Sequence, residues 1–197
     1  RHTRYGTVTG VQTCALPILL QCSIRNRLKT VLSIQVVSQT PCQLGEGPLW
    51  DAPISRLFWL DSYQPRLFLK EPDDSIQCFA LPAMAGSLAV VTDHLVLLAL
   101  QTGIHAFDLR TSTLTLLIDP EPDRPDTRLN DGKVDRNGQF VFGSMGIKER
   151  TRGLGSLYRF NGQGKLEQLE EDIIVSNGPA FSPDGSTFYF KIGRAHV

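Results

Sequence analysis

Four glycines open four apolar runs along this chain, at a spacing of roughly 40 to 46 residues: Gly47 before PLWD, Gly86 before SLAV, Gly132 before KVDR and Gly178 before PAFS. After each of the first three runs, two alternating segments flank a polar turn, as in PRLFLKEPDDSIQCFAL, GIHAFDLRTSTLTLLI and GSLYRFNGQGKLEQLEE. Period-two alternation punctuated by Gly, Pro, Asp and Asn is the chemistry of strands and tight turns, and no window sustains a helical period. A repeat of this length built from four short strands is one blade of a β-propeller. The last unit, GPAFSPDGSTFYF, echoes GPLWDAPISRLFWL and supplies an inner hairpin only. The expected fold is therefore all-β, a propeller represented over residues 43–190 by about three and a half blades. An unclosed ring leaves a sheet edge and a blade face uncovered, so the propeller is expected to be truncated here.

The repeat also locates a site. The residues before the four glycines are Glu46, Ala85, Asp131 and Asn177. The innermost strand of each blade lines the central channel, so three oxygen-bearing side chains share one axial level. Converging carboxylate and amide oxygens suit a hard divalent cation. Turn chemistry accounts for Asp131 and Asn177 equally well, since both types suit the position before a glycine. Glu46 is the harder one to assign to a turn.

Composition excludes other classes. Twenty basic residues balance twenty acidic ones, which gives no polyanion-binding surface and no expected nucleic-acid partner. Apolar runs such as Leu95–Leu100 are too short to span a bilayer. Cys14, Cys22, Cys42 and Cys78 form no C-x-x-C pair and read as reduced, incidental thiols of a cytoplasmic protein. DGKVDRNGQF fails as a calcium loop, because that register puts Lys133 first and Ser144 where a glutamate is required. His94 and His105 fall in strand or turn patterns with no partnered nucleophile. The stretch EPDRPD reads as a solvated loop, and Trp50, Phe58 and Trp59 as blade-packing residues.

LGEGPLWD, RLFWLDS, RLNDGKVDRNGQFVFGSM, GSLYRF and SNGPAFSPDGSTFYF, in that order, resemble the SMP-30/gluconolactonase/regucalcin family over nearly all of residues 43–190. The resemblance implies a six-bladed propeller with one divalent cation in its channel, Ca²⁺ or Zn²⁺ first, with Mg²⁺ or Mn²⁺ also compatible. It implies hydrolysis of a small-molecule sugar lactone. By the same resemblance Glu46 and Asn177 are metal ligands, and Arg128 and Asn130 hold substrate oxygens beside the metal. Asp131 supports that loop, and Glu149 in GIKER is the candidate for a further acidic substrate contact. The family's third ligand, an aspartate that also helps deprotonate water, lies beyond Phe190. No catalytic residue is therefore expected within this chain, which is expected to be inactive alone. The alternative is a non-catalytic binding module on the same fold.

The ends read differently from the rest. CALPI back-translates to TGTGCTCTTCCGATC, and KIGRAHV to a string containing GATCGGAAGAGCACA, its reverse complement. Both match a common sequencing-library adapter, and no protein-level constraint relates two termini in this way. Residues 1–18 and 191–197 are therefore expected to be adapter-derived, with 19–42 an upstream segment that includes a first strand.

Overall fold

The computed structural model describes residues 34–192. Three four-stranded antiparallel sheets follow one another, each a meander in sequence order. The first holds β1 (Gly45–Asp51), β2 (Arg56–Asp61), β3 (Arg66–Lys70) and β4 (Ile76–Ala80). The second holds β5 (Ala85–Val90), β6 (Leu95–Leu100), β7 (Gly103–Asp108) and β8 (Thr113–Ile118). The third holds β9 (Thr127–Val134), β10 (Phe140–Gly146), β11 (Gly155–Phe160) and β12 (Leu166–Ile173). A hairpin of β13 (Ser176–Phe181) and β14 (Phe188–Ile192) begins a fourth. These are the blades expected from the glycine repeat, and β1, β5, β9 and β13 are the strands those glycines open.

Local chemistry closes the hairpins. The carboxylate of Asp135 accepts the backbone amides of Asn137 and Gln139. Asn161 does the same for Gln163 and Lys165, and Asp184 for Ser186. A short polar side chain that bonds to the backbone two residues on mimics a turn and fixes the strand register.

The core lies between blades rather than within them. Phe58, Leu60, Leu67 and Leu69 of blade 1 meet Leu88, Val96, Leu98 and Leu100 of blade 2. Ala89, Leu97 and Ala99, on the other face of blade 2, meet Leu129, Phe140, Phe142 and Phe160 of blade 3. The unbroken apolar run LVLLAL of β6 follows from this, because its two faces supply two different cores. The fourth-strand positions need no such run: β4, β8 and β12 are largely exposed. Trp50 departs from expectation at 51% exposure, since it lies on the face of β1 that no described blade covers. Phe58 is buried as expected, and Trp59 stacks on Phe68 with ring centroids 5.1 Å apart.

Residues 34–42 form no strand, and the rest of the 19–42 segment in which a first strand is expected lies outside the described residues. The chain instead enters β1 on the carboxylate of buried Asp61, which accepts the amides of Gln43 and Leu44. The proposed adapter residues 1–18 and 193–197 lie outside the described residues, as do 19–33. Lys191 and Ile192 pair with Asn177 and Ser176 at the end of β14.

Candidate metal and substrate site

Each inner strand breaks its ladder near its glycine. The register shifts between Glu46 and Leu49 in β1, between Ala85 and Ser87 in β5, and between Asn177 and Ala180 in β13. Gly47 and Gly178 take φ of +56° and +59°, a left-handed conformation that glycine adopts without a Cβ penalty. Such bulges re-aim the flanking side chain, here Glu46 and Asn177, off the sheet. In β9 the extra residues are Asn130 and Asp131, between the pairs Leu129–Ser144 and Gly132–Phe142. Blade 3 therefore bulges ahead of its glycine, and Asp131 is not the register equivalent of Glu46 and Asn177. The glycine spacing predicted equivalence; the strand pairing corrects it.

The consequence is a connected polar cluster. Arg128 is buried, and its Nη1 donates to Asn130 Oδ1 at 2.7 Å and to the Leu129 carbonyl at 3.1 Å. Asn130, also buried, donates from Nδ2 to the Ser176 carbonyl at 2.7 Å and to Asn177 Oδ1 at 3.2 Å. Asp131 Oδ2 accepts the Gly178 amide at 2.7 Å, and its Oδ1 accepts the Gly132 amide at 2.9 Å. Blade 3 thus grips the bulge of blade 4 on both sides of Asn177 and fixes where that amide oxygen sits. The grip on the other flank is Ser87, whose Oγ donates to the Asn130 carbonyl at 2.8 Å.

Glu46 faces this cluster from blade 1. Among the described residues nothing donates a hydrogen bond to its carboxylate. Burial pushes its pKa up, the charge of Asp131 pushes it further, and Arg128 offsets part of the rise. Burial also raises Asp131, against the lowering effect of its two amide donors. Two half-buried carboxylates, both raised by burial and one raised further by the other, stand beside an amide oxygen, a donor set that suits a divalent cation. Among the described residues no three His, Cys, Asp or Glu side chains converge at one point; the oxygen set is two carboxylates and an amide.

Glu149 sits apart from this set. Its carboxylate accepts the Thr151 amide at 2.6 Å and the Thr151 hydroxyl, both within its own loop. The stretch EPDRPD is not uniformly solvated, because Glu121, in the connection from blade 2 to blade 3, is buried. Its carboxylate accepts from Ser144 Oγ at 2.6 Å, from Tyr158 OH at 2.9 Å, and from the Thr127 hydroxyl. Burial, reinforced by this carboxylate, pushes the Tyr158 phenol up to about 12. Glu121 thereby pins the start of β9 one residue before Arg128. A carboxylate in a Pro- and Asp-rich stretch gives no sequence sign of this, since its three hydroxyl partners lie elsewhere in the chain.

Four-stranded antiparallel sheets in sequence order, with the polar cluster where the inner strands begin, define the blades of a β-propeller. The family model for the SMP-30/Gluconolactonase/LRE-like region matches residues 44–194, and the chain belongs to that family. It is 36% identical to the L-arabinolactonase of Azospirillum brasilense over 79% of this chain and 53% of that protein. It is 31% identical to the 6-deoxy-6-sulfogluconolactonase of Pseudomonas putida, over 84% of this chain and 57% of that one. The calcium-binding protein regucalcin from Agrobacterium tumefaciens str. C58 superposes with a TM-score of 0.75 at 36% identity, covering 80% of this chain and 53% of that chain. The chain spans about half the length of the relatives it matches. Among the described residues no helix is long and apolar enough to cross a membrane. Cys42 and Cys78 are free thiols; Cys14 and Cys22 lie outside the described residues.

Proposed function

We propose that the full-length protein is a divalent-cation-dependent lactonase acting on a sugar lactone, in the cytoplasm. The observation that carries this reading is the bulge-presented pair Glu46 and Asn177, with Asp131 and Arg128 packed behind it. Glu46 and Asn177 fit as ligands, since one is a half-buried carboxylate without a described donor and the other an amide oxygen held in place by Asn130. The donor set is all oxygen, which suits Ca²⁺ and admits Zn²⁺, Mg²⁺ or Mn²⁺. A bound cation supplies the Lewis acid that polarises the lactone carbonyl.

This chain's own residues orient the substrate. Arg128 is a buried guanidinium with no carboxylate within ion-pair distance among the described residues, so its remaining N–H groups are available to ring or hydroxyl oxygens. Asn130 holds that guanidinium on one side and Asn177 on the other, so substrate and metal positions are set by one hydrogen-bonded unit. Asp131 acts on the backbone of β13 and supports the site. The reading assigns catalysis to the full-length protein, because the resemblance puts the third ligand, an aspartate, beyond Phe190. The 197-residue chain alone is inactive on this account.

The test is hydrolysis of an aldonolactone series by the full-length protein, followed as acid release. Activity that vanishes with a chelator and returns with Ca²⁺ or Zn²⁺ is expected. Undiminished hydrolysis after exhaustive chelation contradicts the metal requirement, and cation binding without hydrolysis of any lactone favours a binding module instead.

A further inference from the structure

A second guanidinium reaches the same cluster from outside. Residues 147–154 join β10 to β11, where blades 1 and 2 use only residues 62–65 and 101–102 for the same connection. This longer loop leaves blade 3 at the end where β9 begins, and the turn at 62–65 leaves blade 1 at the end where β1 begins. From the loop, Arg150 Nη2 bonds to the Tyr63 hydroxyl at 3.0 Å. Tyr63 belongs to blade 1, 87 residues away along the chain, so the pair joins blade 1 to blade 3 at the end where β1 and β9 begin. Burial first, and then the charge of Arg150, lower the Arg128 pKa, so the two guanidinium groups stand near each other. Among the described residues neither Arg128 nor Arg150 has a carboxylate within ion-pair distance. Glu149, the neighbouring acid, is turned into its own loop by Thr151. Lys148 adds a further exposed cation to the loop.

Two unpaired guanidinium groups facing one opening focus a positive field there, and they repel each other unless an anion lies between them. Arg128 lies deep, beside the metal and lactone positions, while Arg150 lies at the rim. An oxyanion on the part of a substrate remote from its lactone carbonyl would sit at that rim. We propose that Arg150, steadied by Tyr63, makes the site selective for lactones bearing an anionic substituent such as a carboxylate, sulfonate or phosphate. The guanidinium fork recognises all three through paired N–H donors. This inference rests on the lactonase reading and adds its substrate class.

The experiment compares D-glucono-1,5-lactone with D-glucaro-1,4-lactone and a 6-phosphorylated aldonolactone on the full-length, metal-loaded protein. The anionic lactones are expected to show kcat/KM at least about tenfold higher, through lower KM, with the advantage shrinking as salt rises. Arg150→Gln is expected to cut the anionic-to-neutral ratio by about tenfold, and Tyr63→Phe to cut it by less. A neutral lactone preferred or equal in the wild type, or a ratio unmoved in Arg150→Gln, overturns the selectivity while leaving the lactonase reading standing. No hydrolysis of any of the three overturns both.

Discussion

Glu46→Gln in the full-length protein is expected to lower divalent-cation affinity by roughly 100-fold or more and to abolish lactone hydrolysis, while raising the thermal stability of the metal-free protein. Loss of a group that merely supports a ligand costs about 10- to 100-fold in metal affinity, and Glu46 is assigned as a ligand itself. The gain in stability follows from the sign of its pKa shift. Burial and Asp131 raise the Glu46 pKa in the folded state, so the folded protein binds that proton more tightly than the unfolded chain does. Its ionisation therefore works against folding: stability contributed by the protonated form is present at low pH and is lost as pH rises through the raised folded value. Asp131, raised in the same direction, adds to this. The contribution of Glu46 and Asp131 to the stability of the metal-free protein should thus fall with rising pH across and above the ordinary carboxylate range, while carboxylates held low, such as Asp61, act the other way, and Glu46→Gln should remove the Glu46 share. Cation binding runs the other way, because protons compete for the same oxygens and affinity falls as pH drops through the raised value. Calorimetric titration with Ca²⁺ and Mn²⁺, with melting curves of both proteins without metal, checks each part. A variant that keeps wild-type affinity, or melts lower without metal, contradicts the assignment.

Gly86→Ala is expected to disrupt the packing of blade 2 on blade 3. A Cβ at Gly86 would stand 2.4 Å from Asn130 Cα and 2.6 Å from its carbonyl carbon and oxygen. Every one of these atoms is backbone, so no side chain can rotate away. Nor can the segment retreat, since the Asn130 carbonyl is bonded to Ser87 Oγ and its side chain to Arg128, Ser176 and Asn177. Relief requires separation of β5 from β9, where Ala89, Leu97 and Ala99 meet Leu129, Phe140 and Phe142. The cost is on the order of 3 kcal/mol, at the upper end of ordinary overpacking. In a domain of this size that lowers Tm by roughly 10 °C. Metal affinity should fall as well, because the displaced residue is the one that steadies Asn177. A melting point within about 2 °C of wild type, less than 1 kcal/mol, would show that blades 2 and 3 are not in this close contact.

How far the sequence carries can be followed at particular residues. The blade boundaries were legible because each blade needs alternating faces and polar turns, and a glycine-led inner strand recurs at blade length. The pairing of Glu46 with Asn177 was legible for the same reason, since both precede a glycine at which the strand bulges. Asp131 was misaligned with them because glycine spacing does not reveal which residues a bulge extrudes; that is decided by pairing with β10. Glu121 was hidden by its neighbours, as a Pro- and Asp-rich stretch has the composition of an open loop whatever covers it. Three hydroxyls, on Thr127, Ser144 and Tyr158, decide its burial, and only the folded chain brings them together. Arg150 was equally hidden, because a contact with Tyr63 across two blades leaves no local signature. Trp50 was read as packed because apolar alternation marks a strand face without saying whether a neighbouring blade covers it.

The central claim is that Glu46 and Asn177, presented by matching bulges of blades 1 and 4, hold one cation in the channel. A crystal structure of the full-length protein grown with Mn²⁺, with anomalous differences recorded, tests it most directly. The account predicts one strong peak within about 2.0–2.6 Å of a Glu46 carboxylate oxygen and of Asn177 Oδ1, a distance range set by oxygen-ligated divalent ions. A peak elsewhere, with Glu46 and Asn177 free of the ion, would contradict it.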